Sequence, residues 1–294
     1  MKNKVKVLVM SVGDYKNNHT IHYLEKIGGQ YNAIVCLPKQ FEANAESYKK
    51  HNIEVYIYDE KKYINKDFEF FGFKPRNCGG VGRQGIAEAV EKFDDDNTVI
   101  LQLDDDTASL NIKKIDNGEL KSLMIRKWSS LEKMVLAENE FYEKTGIECM
   151  GATGATIPDA DSFISNHKIF NNFIMRKGVK KNFDGFKALC SDDQRFNIYH
   201  NLIDCVPMIS HNLHSITFHQ NQGDRKDGNA VLYNKDCSWK KSYALKMMMP
   251  QAIAQKIVQE TNRILFRENI QTSRLYPPLC LGDKNGNIVG EIKW

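Results

Sequence analysis

The stretch Thr98-Val99-Ile100-Leu101-Gln102-Leu103-Asp104-Asp105-Asp106 decides the reading of this chain. Its first six residues make a near-continuous apolar run, the pattern of a strand covered on both faces. The run stops abruptly at three consecutive carboxylates. In open α/β sheets ligands sit in the crevice outside the carboxyl ends of the strands, so these acids are delivered to the ligand edge. Three adjacent negative charges repel one another unless they are solvated or bound to a cation. Asp104 and Asp106, one residue apart, are spaced to reach a single hard divalent ion through oxygen. A second run, Asp94-Asp95-Asp96, precedes the strand instead of following it, and reads as a solvated turn on the opposite edge.

Working outward, the N-terminal part alternates strand and helix signals. Val5–Met10 is a β-branched run that ends in the turn Ser11-Val12-Gly13. Residues 19–27 carry Ile21, Leu24 and Ile27 at helical spacing. Ala33–Leu37 is a second strand stopped by Pro38, residues 42–51 a polar helix, and Glu54–Tyr58 a third strand that ends at Asp59. Short apolar strands separated by helix-length segments predict a Rossmann-type α/β sheet, mixed but mostly parallel, with helices on both faces. Residues 126–144 form the clearest helix. In the second half, Ser191 caps a helix over 191–202, strands are expected at 205–209 and 214–219, and a last helix spans 250–266. No linker interrupts the chain. A single compact domain is expected, with a nucleotide-binding half over 1–150 and an acceptor-binding and catalytic half over 151–294.

Composition bounds the function. The 294 residues are 41% hydrophobic and 27% charged, which excludes wholesale disorder. No apolar run reaches the roughly 20 residues that a bilayer span needs, and no secretory signal is evident. Seven cysteines are scattered singly, without a C-x-x-C pair. A disulfide framework is therefore not expected, and a reducing cytoplasm is. The net charge of +4 permits an anionic substrate but falls short of a dedicated nucleic-acid binder.

Upstream of the acid cluster lies Arg76-Asn77-Cys78-Gly79-Gly80-Val81-Gly82-Arg83-Gln84-Gly85, a glycine-rich entry to a helix that runs through Phe93. Glycines before a helix start let backbone amides approach a phosphate, with Arg76 and Arg83 placed to neutralise a diphosphate. The segment fits neither the Walker pattern nor a dinucleotide fingerprint.

The order of these elements resembles the family-2-like GT-A glycosyltransferases. The resemblance rests on Asn77 with Gly79 and Gly80, then Arg83-Gln84-Gly85-Ile86, then Leu103-Asp104-Asp105-Asp106, then Ser191-Asp192-Asp193-Gln194, within about residues 5 to 219. Gln84 stands where Asn is more usual. What the resemblance implies is a GT-A-like fold and transfer of a sugar from a nucleotide-diphosphate sugar, UDP-sugar first among them, to a hydroxyl. Asp104 and Asp106 would hold Mn²⁺ or Mg²⁺ against the diphosphate, and a late histidine would join them, with His219 preferred over His211 and His214. Val12, Gly13, Asp59, Arg76, Asn77, Gly80, Arg83, Asp104 and Asp105 would line the nucleotide-sugar site. Asp193, of the pair Asp192-Asp193, would act as base if configuration inverts, and would only position substrate if it is retained.

The chain also resembles the compact phage-type, TET-associated glycosyltransferases. That likeness implies DNA carrying modified bases as acceptor partner, with Arg225 and Trp239 as acceptor contacts and no membrane partner. Polysaccharide, lipid and protein acceptors are the alternatives. A haloacid-dehalogenase-type phosphohydrolase also uses Asp-x-Asp, but normally on the first strand. A non-catalytic nucleic-acid-binding module would leave the acids at the strand end without a purpose.

Overall fold

The computed structural model describes residues 4–63, 79–116, 119–145, 150–153, 163–165, 173–175, 209–217, 246, 253–260, 263–270, 281–282 and 288–290. The chain opens with β1 (Lys4–Met10), α1 (His19–Ile27), β2 (Ala33–Pro38), α2 (Ala45–Lys49) and β3 (Glu54–Tyr58). α3 (Gly79–Phe93) leads to β4 (Thr98–Asp104), β5 (Thr107–Asp116), β6 (Glu119–Met124) and α4 (Trp128–Thr145). Short strands follow: β7 (Met150–Thr153), β8 (Phe163–Ser165), β9 (Phe173–Met175) and β10 (Ile209–Thr217). Two hairpins close the chain, β11 (Ile253–Glu260) with β12 (Arg263–Ile270) and β13 (Leu281–Gly282) with β14 (Ile288–Gly290).

The strand order β3-β2-β1-β4-β9-β7-β10-β5-β6, with β8 also on β10, makes one sheet. From β3 to β4 it is wholly parallel. Beyond β4 it is mixed, with β9 antiparallel to β4 and β7, and β10 parallel to β7 but antiparallel to β5. The expected α/β architecture is thus present, with its parallel part at the N-terminal end of the chain.

Register sorts the strand residues into two faces. Val5, Val7 and Val9 lie beside Val99, Leu101 and Leu103, and Val7 and Val9 beside Ala33 and Val35. These join Ile21, Leu24 and Ile27 of α1, Ala45 and Tyr48 of α2, and Leu131 and Val135 of α4 in one buried core. On the other face Leu8, Met10, Ile34, Cys36, Ile100 and Gln102 lie under α3. Both faces are covered, which is why β2 and β4 read as apolar throughout.

Local chemistry sets the ends of these elements. Asn18 caps α1, its side-chain oxygen accepting from the Ile21 amide at 3.0 Å. Gly28 ends α1 at φ +78, a left-handed conformation that a side chain would strain. Asp95 turns the chain before β4 by accepting from the Asn97 amide at 2.8 Å, so the Asp94–Asp96 run sits on the edge away from the acid cluster, as position predicts.

Two expectations are corrected. The glycines at 79, 80, 82 and 85 do not form a loop ahead of a helix, because α3 already begins at Gly79. Gly82 and Gly85 lie where the helix meets the sheet: a Cβ at Gly82 would collide with the Met10 thioether, and one at Gly85 would lie 2.5 Å from the Tyr58 ring. Each glycine weakens the helix by about 1 kcal/mol relative to alanine, and that loss is offset by close approach of backbone to sheet. The helix expected over 250–266 is instead the β11–β12 hairpin. Glu260 pairs with Arg263, so only Thr261 and Asn262 separate the two strands, and the apolar residues Ile257 and Val258 fall opposite Phe266 and Leu265. Of the strands expected at 205–209 and 214–219, residues 205–208 and 218–219 lie outside the described residues, and 209–217 form β10, whose register against β7 shifts between His211 and His214. The 191–202 helix lies outside the described residues. No helix among those described is long and apolar enough to cross a membrane.

At the outer edge, Glu88 of α3 accepts from the Tyr56 hydroxyl at 2.8 Å and the Tyr63 hydroxyl at 2.5 Å, with the Lys62 ammonium 3.5 Å away. Burial pushes the Glu88 carboxyl up, but these donors outweigh it and hold the group below its ordinary range. A depressed carboxylate contributes stability above its unfolded pKa and loses it as pH falls through the folded value. Glu88→Gln is accordingly expected to cost about 1 kcal/mol at pH 7. The gap from wild type in urea midpoint should close as pH drops below 4.5. Gly85→Ala, which forces α3 off Tyr58, is expected to cost about 1 to 3 kcal/mol by the same assay at neutral pH.

Candidate functional site

The order β3-β2-β1-β4 carries its own indication of where a ligand goes. From β1 the chain steps outward through β2 to β3, then returns through α3 to place β4 on the other side of β1. The carboxyl ends of β1 and β4 therefore flank the point where the winding reverses, the usual ligand crevice of open α/β sheets. Ser11 follows β1 there, and Asp104-Asp105-Asp106 ends β4. A hydrogen bond spans the crevice, the Ser11 hydroxyl donating to Asp105 Oδ2 at 2.7 Å.

The acids meet different neighbours, Asp104 at the end of β4 and the other two in the turn that follows. Asp104 faces the α3 side, where Arg83 lies almost fully buried at 2% exposure. Arg83 grips it through two nitrogens, Nη1 at 2.9 Å from Oδ1 and Nη2 at 3.1 Å from Oδ2. Gln102, wholly buried on the same face, accepts from Arg83 Nη1 and donates through Nε2 to Asp104 Oδ1 at 3.0 Å. Bidentate guanidinium–carboxylate pairing fixes orientation as well as charge. Asp104, 17% exposed, is thus turned and held from below. Asp105 points to the opposite side and belongs to the Ser11 network. Asp106 is half-buried in the turn between β4 and β5.

The backbone of the acid turn is fastened to α1. The Thr20 hydroxyl donates to the Asp104 carbonyl and accepts from the Thr107 amide at 3.0 Å, and the Thr20 amide donates to the Asp105 carbonyl at 3.2 Å. The turn after β1 is held as tightly. The Gly13 amide donates to Ser11 Oγ at 3.1 Å, Tyr48 donates its hydroxyl to the Gly13 carbonyl at 3.0 Å, and Asn44 donates to the Val12 carbonyl at 2.9 Å. Asn18 donates to the Tyr48 oxygen at 3.1 Å. Burial pushes the Tyr48 phenol up, so it stays a neutral donor at physiological pH.

Of the residues singled out from sequence, Val12, Gly13, Asp104, Asp105 and Asp106 are brought together at this crevice. Arg83 is present, but buried beneath Asp104 and directed at that carboxylate, not set on the surface to meet a phosphate. Gly80 lies buried in the first turn of α3, its carbonyl accepting from the Gln84 side chain at 3.3 Å. Asp59 stands at the end of β3, two strands from the switch point, where it accepts from the Lys61 amide at 3.2 Å. His211 and His214 lie on β10, paired in register with Ala152 and Asn111. Arg76, Asn77, Asp192, Asp193, His219, Arg225 and Trp239 fall outside the described residues. Gln102, Ser11, Thr20 and Tyr48 were not singled out. Only Gln102 carried a signal, as a polar residue in the middle of a buried strand.

The donor set suits a hard divalent ion in kind, since the turn offers carboxylate oxygens at the sheet's ligand edge. Among the described residues no group of three metal-ligating side chains converges. A cation at Asp104 and Asp106 would complete its shell with ligand or water oxygens, as Mg²⁺ sites commonly do.

No family model matches the chain, and no curated protein matches it. Among solved structures, glucosyl-3-phosphoglycerate synthase from Mycobacterium tuberculosis, in complex with Mn²⁺, UDP and phosphoglyceric acid, is similar over 91% of this chain and 86% of its own, with 6% identity and a TM-score of 0.44. CMP:2-keto-3-deoxy-manno-octonic acid synthetase in complex with CTP covers 70% of this chain and 88% of its own, with 8% identity and a TM-score of 0.40. The 4-diphosphocytidyl-2C-methyl-D-erythritol synthase of Anaerococcus prevotii covers 82% and 96%, with 8% identity and a TM-score of 0.38. These likenesses are remote in sequence and in shape.

The Arg83–Asp104 pair makes Asp104 a structural residue whatever else it does. Asp104→Ala leaves a buried guanidinium without its counter-charge and is expected to cost about 3 kcal/mol in urea unfolding. The double variant Arg83→Met/Asp104→Asn, which removes both charges, is expected to recover most of that loss.

Proposed function

We propose that this chain is a metal-dependent glycosyltransferase that moves a sugar from a nucleotide-diphosphate donor, UDP-sugar first among them, to a hydroxyl acceptor. The observation that carries the reading is the placement of the Asp104–Asp106 turn at the switch point between β1 and β4. The order of elements in the sequence supports it: the Arg83–Ile86 helix segment, then the acid-ended strand, then Asp192-Asp193.

In this reading the Val12–Gly13 turn and Asp105 line the nucleotide side of the crevice. Asp104 and Asp106 hold the cation, Mn²⁺ or Mg²⁺, with His219 as a further ligand. When bound, the ion offsets the charge that develops on the diphosphate as it leaves. The acceptor oxygen attacks the sugar's anomeric carbon, the bond from that carbon to the diphosphate oxygen breaks, and the acceptor proton passes to Asp193 if configuration inverts. Arg76, Asn77, Gly80 and Asp59 complete the donor site. The acceptor proposed for first test is a hydroxymethylated base in DNA, contacted by Arg225 and Trp239. A duplex would have to release that base from its stack.

UDP with Mn²⁺ is expected to raise the melting temperature by several degrees, and neither alone should do as much. Asp106→Asn, which keeps the size of this half-buried side chain, should remove the shift while the unliganded protein still melts cooperatively. Mass spectrometry of reactions with UDP-sugars should show sugar added to hydroxymethylated and not to unmodified DNA. Donor-dependent transfer to a polysaccharide, lipid or protein instead would replace the acceptor and keep the donor chemistry. Hydrolysis of a generic phosphoester with no response to nucleotide would overturn the whole proposal.

A further inference from the structure

Asp104 does not present a bare negative charge at the crevice. Arg83 occupies one lone pair on each of its oxygens, and Gln102 takes a second on Oδ1. A carboxylate has about four such acceptor sites, so three are committed to protein donors. The donors are themselves fixed: Arg83 is 2% exposed, Gln102 is wholly buried, and they bond each other. Neither can swing out to make room. A cation at the turn would face Asp104 already neutralised, with the guanidinium's positive charge directly behind it, and like charges so placed in a partly desolvated site repel strongly. Asp105 is engaged by the Ser11 hydroxyl from the α1 side.

We propose that Arg83 and Gln102 are positioning residues that keep Asp104 charge-compensated. The acid turn then takes a divalent cation weakly by itself and firmly only when a nucleoside diphosphate supplies the missing negative charge. Metal and donor enter together, as one complex. The inference rests on the donor reading given above and assigns that site an order of binding and two residues that enforce it. Arg83 acts through Asp104 and touches no substrate.

The test is Mn²⁺ titration followed by the electron paramagnetic resonance signal of the free ion, with and without UDP, on wild type and on Arg83→Met, Arg83→Lys, Gln102→Met and Arg83→Met/Asp104→Asn. Folding of each is checked by a cooperative melt. Wild type should bind Mn²⁺ weakly alone and much more tightly with UDP. Arg83→Met should bind the ion alone about tenfold more tightly than wild type, the effect of deleting one nearby charge. The gain should vanish when Asp104→Asn is added, because it comes through that carboxylate. Arg83→Lys, which keeps the charge, should stay near wild type. Gln102→Met should give a smaller gain of about threefold, and it decides the matter should Arg83→Met fail to melt cooperatively. A merely structural arginine predicts weaker or unchanged binding in Arg83→Met. If that is seen in folded variants while UDP still tightens binding in wild type, the positioning role falls and the donor reading stands. If no variant binds Mn²⁺ even with UDP, the donor reading falls and takes this inference with it.

Discussion

A guanidinium cannot shed its proton inside a protein, so once Arg83 is carried under the sheet a counter-charge must lie within reach of its fork. That requirement governs the middle of this molecule. Asp104 meets it from the end of β4, and Gln102, one pleat back on the same face, meets the remaining donor. The strand's last residues are therefore fixed by α3 from one side. Thr20 and Ser11 fix the following turn from the other. Three acids in a row, which would otherwise repel into solvent, are held in three separate surroundings, Asp104 at the strand end and Asp105 and Asp106 in the turn beyond it.

Arg83 reaches Asp104 only because α3 lies so near the sheet. Gly82 passes over Met10 and Gly85 over Tyr58, and a methyl group at either would lift the helix. The arginine sits between these two glycines in sequence. The contact surface and the charged pair are thus one device: small residues bring the backbone down, and the long side chain between them extends along the sheet to its edge. Fixed guanidinium geometry then orients the carboxylate without the participation of solvent.

Much of this was legible in the sequence. The apolar runs Val5–Met10, Ala33–Leu37 and Val99–Leu103 announced strands covered on both faces, and the position of Asp94–Asp96 before β4 distinguished it from the acids after β4. Asn18 and Gly28 bound α1 as side-chain capping and left-handed geometry require. Other features were hidden for physical reasons. Glycines at the start of α3 read as a phosphate loop because sequence does not say whether a glycine serves a turn or a close approach. The direction of Arg83 depends on the crossing of α3 over β4, which is a tertiary fact. Gln102 did announce itself, as a polar residue where none is affordable without a partner. Residues 253–270 carried β-branched side chains and a Thr261-Asn262 break, and tertiary pairing prevailed over the helix expected there.

The central ladder also has a consequence for how the chain is made. Lys4 and its successors in β1 pair with β4, beginning at Thr98, so β1 waits for β4 before its second edge is covered. At roughly 5 to 20 residues per second, a nascent chain carries an apolar, half-paired β1 for several seconds. Parallel pairings at such separation are slow to close, since the loop entropy is lost before the contact forms. The same winding that creates the crevice between β1 and β4 leaves that edge of β1 bare until β4 has been made.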